Sequence, residues 1–177
     1  MIVDSSALII FAKMNRLDLL IKLFGKIQIT KKIYNETVEK GIEIDVHDAK
    51  IIKDFVENEK INIILLNERY EKFSNELMIL YPQLDMGECE AISLCLQEKN
   101  KILVMDEHEG RIVTKLYKIR PIGSLRILLE LYKKDALIEQ ELNDILNEML
   151  RNKFRLGGDI INEFWDIFEK IKKKKKG

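Results

Sequence analysis

Short apolar runs alternate with stretches of helical periodicity along this chain. "MIV" before Asp4, "KIQIT" at 26–30, "INIILLN" at 61–67 and "KILVM" at 101–105 are brief β-branched runs, and each reads as a buried strand. Between them lie segments with apolar residues at helical spacing: "SALIIFAKMNRLDLLIKLF", "KKIYNETVEKG", "DVHDAKIIKDFVENEK", "YEKFSNELMILYPQ", "LDMGECEAISLCLQ" and "GRIVTKLYK". Strands alternating with helices predict an α/β fold with three layers, a central mostly parallel sheet covered by helices on both faces. A short extended piece, "IRPIG", leads into a helix at "SLRILLELYKK". Two further helices, "IEQELNDILNEMLRNKF" and "GGDIINEFWDIFEKI", follow with a break at Gly157 and Gly158, and they need not belong to the sheet unit.

At 177 residues the chain fits one domain with a small appendage. Its 30 basic and 30 acidic residues balance, so affinity for a polyanion would have to come from local patches. Cys89 and Cys95 are six apart on one helix and point in divergent directions, which predicts two packing thiols rather than a disulfide. His47 and His108 are too remote in sequence to complete a zinc site with them. The opening residues lack the basic lead of a secretory signal, and no apolar run approaches the ~18 residues of a membrane span. The expectation is a soluble cytoplasmic protein with no membrane association. The lysine-rich tail at 171–177 is expected to be a solvated, disordered end, with a nucleic-acid contact as the alternative.

In open parallel sheets, ligands collect at the carboxyl ends of the strands. Asp4 and Asp106 each follow a strand directly, which suits an ordinary helix N-cap as well as a ligand. Glu36 lies about 60° from Ile33 on its helix, at the border of the buried stripe, and suits a solvated flank equally. In "LDMGECEAISLCLQ", with Glu88 at the origin, Ile92 falls at about 40° and Cys95 at about 340°, so Glu88 continues the apolar face. Glu90 falls on the opposite side, at about 200°, and is expected in solvent. Asp85 is expected to cap this helix, and a capping box with Glu88 is the structural alternative for that residue. Asp4, Glu36, Glu88 and Asp106 could meet at one sheet edge. Their mutual repulsion would be relieved by a hard divalent cation, Mg²⁺ or Mn²⁺, suited to phosphodiester hydrolysis.

Four motifs in this order, "IVDSSALI", "IYNETV", "GECEAISLCLQ" and "ILVMDEHEGR", resemble those of PIN-domain ribonucleases, the family that includes VapC-type toxins. The resemblance spans roughly residues 1–130. It implies that Asp4, Glu36, Glu88 and Asp106 are the catalytic metal-binding acids, and that Ser6 holds the first of them or a water beside it. It also implies an Mg²⁺- or Mn²⁺-dependent endoribonuclease leaving a 5′-phosphate and a 3′-hydroxyl, with RNA as substrate, an antitoxin protein as partner, and a homodimer. Many relatives carry aspartate where Glu88 stands, and Glu90 and Glu107 recur as further acids in a similar subgroup. The helices at 131–170 resemble a C-terminal extension of that subgroup.

For substrate contact, Arg111, Lys115 and Lys118 run at i, i+4 and i+7 after Asp106, a stripe that suits phosphates or plain solvent; Lys31 and Lys32 share that ambiguity. Base stacking wants exposed aromatics, and periodicity does not place Tyr34, Tyr117 or Trp165. The alternative function is a non-catalytic PIN-fold protein that binds a partner protein or RNA. An aspartyl-phosphate phosphotransferase would want a second aspartate where Ser6 stands.

Overall fold

The structure, a computed structural model, describes residues 1–152, 154 and 158–176. Strands β1 (Ile2–Val3), β2 (Ile27–Thr30), β3 (Ile61–Ile64), β4 (Ile102–Val104) and β5 (Arg120–Ile122) form one sheet in the order β3-β2-β1-β4-β5. Every neighbouring pair is parallel, with Ile2 opposite both Gln28 and Leu103, and Val3 opposite Val104. Ile2, Val3, Ile27, Ile29, Leu103 and Val104 are buried, as strands covered on both faces must be. Pro121, which has no N–H to give a ladder, sits on the edge strand β5.

The chain leaves β1 through α1 (Ser5–Lys13) and α2 (Leu17–Phe24) to β2. It then passes α3 (Lys31–Tyr34), a single π turn (Asn35–Glu39), α4 (Lys40–Glu43) and α5 (His47–Glu57) before β3. From there α6 (Glu68–Leu80) and α7 (Met86–Gln97) carry it back past β1 to β4, and α8 (His108–Leu116) leads on to β5. Right-handed crossovers put the helices that follow β1 and β2 on one face, and α7 and α8 on the other. Accordingly α1 packs on α5, while α7 lies against β1, β2 and β4. The result is the expected three-layer α/β/α arrangement. Between β1 and β4 the direction of winding reverses, and that switch point is where a ligand crevice opens in such sheets.

The compact units are Met1–Gly123 and Ser124–Gly177. Within the second, α9 (Ser124–Lys133), α10 (Glu139–Arg151) and α11 (Gly158–Lys176) pack together, with the rings of Tyr132 and Phe168 4.7 Å apart. Two expectations change here. The segment 6–24, read as one helix, breaks at Asn15, whose φ of 53° ends α1 in a left-handed turn. The lysine-rich tail is helical through Lys176, as the last turns of α11. Of the expected break, Gly157 lies outside the described residues and Gly158 begins α11. Among the described residues, no helix is long and apolar enough to cross a membrane.

Candidate metal centre

At the carboxyl end of β1, the backbone N–H of Asp4 donates to Val104 O at 2.9 Å, which ties the start of α1 to the end of β4. Asp4 is only 1% exposed, and its side chain accepts no capping bond from α1. The Ser6 hydroxyl instead donates to Asp4 Oδ2 at 3.0 Å, while Oδ1 is buried and has no hydrogen-bond partner. Burial raises the Asp4 carboxyl to about 6, against the Ser6 hydroxyl and the backbone N–H groups of Ser5 and Ser6, which pull it down.

Glu88 reaches the same place from α7. Asp85 caps this helix, with Glu88 N donating to Asp85 Oδ1 at 2.8 Å and Asp85 N donating to Glu88 Oε2 at 2.9 Å. The capping box is therefore real, but it uses only one carboxylate oxygen. Glu88 Oε1 is buried without a partner, like Asp4 Oδ1, and the residue is 5% exposed. Burial raises this carboxyl to about 7, and the negative charges of Asp4, Asp85 and Glu107 add to the effect.

Both acids line a cavity of about 350 Å³ whose other walls are Ser5, Ser6, Gln83, Asp85, Glu107, His108 and Glu109. Two glycines make the approach possible. A Cβ on Gly110 would stand 2.6 Å from Glu88 Oε1 and closer still to Met105 Sδ. On Gly87 it would meet Glu36 Oε2 at 3.0 Å and Asp85 Oδ1 at 3.1 Å. Periodicity signals neither glycine, because each is chosen by a neighbour distant in sequence.

The structure brings Asp4, Ser6 and Glu88 into this cavity and leaves the other expected acids beside it. Glu36 is the second residue of the π turn, where Lys32 pairs with its Oε1 at 3.2 Å and its Oε2 lies against Gly87. Asp106 is half-buried on another side of the β4–α8 turn: its Oδ1 and Arg111 NH1 both crowd Gly123, at 3.1 and 2.7 Å from a hypothetical Cβ. The next residue, Glu107, is the one that lines the cavity. Arg111 donates to Met105 O at 3.2 Å and so braces the end of β4 instead of joining an outer stripe. Lys115 is exposed, but Lys118 lies beyond α8 with φ 60°, so the i, i+4, i+7 stripe ends before it.

Glu90 departs from the solvated position its periodicity suggests. It is half-buried, and burial raises its carboxyl against hydrogen bonds from the Thr30 side chain and the Lys32 backbone at the start of α3. Cys89 and Cys95 are packed in the core, where burial pushes both thiols up to about 12.

Two buried, unpartnered carboxylate oxygens beside one small acidic cavity form an oxygen-only donor set. That set fits a hard divalent cation, which commonly takes one or two carboxylates and keeps waters for the remaining positions. Among the described residues, no three Asp, Glu, His or Cys side chains converge closely enough to hold an ion by themselves. The pair Asp4 and Glu88, with waters, is the arrangement that fits.

No curated protein matches the chain. A family model described as a PIN domain matches residues 1–170, a stretch that runs past the four motifs through α9, α10 and most of α11. PIN domains are typically metal-dependent nucleases. With four motifs in order, the parallel sheet, acids at its switch point and a family model spanning nearly all of its length, this chain belongs to the PIN-domain family.

Proposed function

We propose that this protein is an endoribonuclease that depends on Mg²⁺ or Mn²⁺ and hydrolyses RNA phosphodiester bonds. The observation that carries the proposal is the pair of buried, unpartnered oxygens, Asp4 Oδ1 and Glu88 Oε1, beside one cavity at the switch point of a PIN domain. Asp4 and Glu88 would hold the ion, with Asp85, Glu107 and Glu109 as further acids on the cavity wall. When bound, such an ion neutralises phosphate charge and activates water for in-line displacement.

The chain's own residues prepare that chemistry. Ser6 holds Asp4 Oδ2, and Asp85 N holds Glu88 Oε2, so each carboxylate keeps one oxygen unengaged. Glu36 supports the same helix start from across Gly87, and Asp106 with Arg111 flanks the end of β4 at Gly123. The acids lining the cavity repel a bare phosphate, so an RNA backbone is admitted only when that charge is compensated. The motif resemblance supports a toxin role of the VapC kind, with an antitoxin protein as partner and a homodimer as the working assembly. Buried free thiols suit a reducing cytoplasm.

Single-stranded RNA incubated with the protein and Mn²⁺, with and without EDTA and beside an Asp4→Asn variant, tests this reading. The expected result is cleavage that EDTA abolishes and that Asp4→Asn reduces at least a hundredfold. Cleavage persisting in EDTA or in the variant would refute it. The second reading, a non-catalytic PIN-fold protein that binds a partner protein or RNA, rests on the missing third ligand among the described residues. It predicts neither cleavage of RNA nor calorimetric binding of Mn²⁺.

A further inference from the structure

Charge is segregated along α11. Residues 158–169 carry four acids and no base, and residues 170–176 carry six lysines and no acid. A helix dipole favours cations only within its last turn, and lysines at i, i+3 and i+4 repel one another, so the run is costly unless something takes up the charge.

Helical geometry divides the lysines into two sets. With the buried Phe168 at the origin, Lys172 falls at about 40° and Lys175 at about 340°, on the inward face. Both are engaged there: Lys172 donates to Glu139 at 2.7 Å, and Lys175 donates to Tyr132 O at 2.8 Å and pairs with Asp135. Lys173, Lys170 and Lys174 fall at about 140°, 200° and 240°, on the outward face, and all three are exposed. Lys133 and Lys134, at the end of α9 beside the Tyr132–Asp135 turn that Lys175 holds, are exposed as well. The inward pair thus anchors α11 so that the other lysines form a fixed basic strip.

We infer that Lys170, Lys173 and Lys174 form a docking strip for the phosphate backbone of single-stranded RNA. Choosing RNA as the polyanion rests on the nuclease reading above. The strip itself favours a hydrated polyanion over a lipid surface. An interfacial helix buries its aromatic face in lipid, whereas Phe164 and Phe168 are buried within the protein and Trp165 stacks edge-on with both. Contacts of this kind neutralise phosphates without reading sequence.

Anisotropy of a fluorescent 20-nucleotide RNA, measured in EDTA from 50 to 200 mM salt on the full chain, tests the strip without requiring catalysis. A Lys170→Gln, Lys173→Gln, Lys174→Gln triple variant should bind at least tenfold more weakly at 50 mM salt. Its salt slope should fall by about 2, at roughly 0.7 per phosphate contact. Its melting temperature should hold, because glutamine matches lysine in helix propensity. Unchanged affinity and slope in the variant would overturn the strip, as would lysine-dependent binding to phosphatidylserine vesicles without RNA binding. Strip-dependent binding by a protein that never cleaves RNA would leave the strip standing and remove the nuclease reading. Cleavage with no effect of the lysines on binding would do the reverse.

Discussion

Glu88 Oε1 lies 2.6 Å from the point that a side-chain carbon on Gly110 would occupy. Helix α8 therefore passes so close to the carboxylate that only glycine leaves it in place. Its partner oxygen is held by Asp85 N, so the group has little room to retreat.

Gly110→Ala follows from that contact. Alanine gains about 1 kcal/mol of helix propensity, and crowding a packed site costs about 1–3 kcal/mol, so stability should change little or fall modestly. Met105 and the Glu88 carboxylate must both shift, so ion binding should be affected along with packing. Calorimetry should show Mn²⁺ binding at least tenfold more weakly, with a melting temperature within several degrees of the wild type. Unaltered Mn²⁺ affinity would mean that the position of Glu88 does not matter to the site.

Burial also gives the ion-free protein a definite pH dependence. Asp4 is raised from 3.8 to about 6 and Glu88 from 4.5 to about 7, so the folded protein holds more protons than the unfolded chain across that window. Stability is then greatest below pH 4 as far as these groups are concerned. It falls as pH rises through their folded values and levels off above pH 7. Each pH unit between the unfolded and folded values is worth about 1.36 kcal/mol, so Asp4 alone accounts for about 2–3 kcal/mol. Urea unfolding in EDTA should find Asp4→Asn more stable than the wild type at pH 8 by roughly that amount, with the gain cut to about a third at pH 4.5. Equal stability of the two proteins at pH 8 would rule out a costly buried charge at Asp4.

The β4–α8 turn sends two adjacent acids in different directions. Glu107 lines the cavity, whereas Asp106 Oδ1 crowds Gly123 alongside the Arg111 guanidinium. Glu107→Gln should weaken Mn²⁺ binding several-fold and leave unfolding unchanged. Asp106→Asn should leave Mn²⁺ affinity within about twofold, because Asp106 is not among the residues lining the cavity. The opposite pattern, with Mn²⁺ affinity following Asp106, would return the metal-ligand role to that residue.

Much of this arrangement is legible in the sequence. Short β-branched runs alternating with helical periods specify the parallel sheet, and an acid directly after such a run falls at its carboxyl end. Glu88 stands out because its position in the helical period puts a carboxylate among Ile92 and Cys95. The same method misjudges Glu90. It assumes that the side opposite the core meets water, but α7 is buried almost all round and lies against α3 and α6 as well as the sheet. The π turn at Glu36 is hidden for a related reason: one extra residue per turn leaves no mark in a regular period. Asp106 and Glu107 are indistinguishable by distance from β4. What separates them is Arg111 and Gly123, which come together only in the fold. Likewise the lysine run looks like a solvated end until Glu139, Asp135 and the Tyr132 carbonyl, all more than 30 residues away, are found to hold α11.

The most direct test of the account is an anomalous difference map from a crystal of this protein soaked with Mn²⁺. A peak within coordination distance of both Asp4 Oδ1 and Glu88 Oε1 is the predicted result. A protein that cleaves RNA but binds Mn²⁺ elsewhere, with those two oxygens still unengaged, would contradict it.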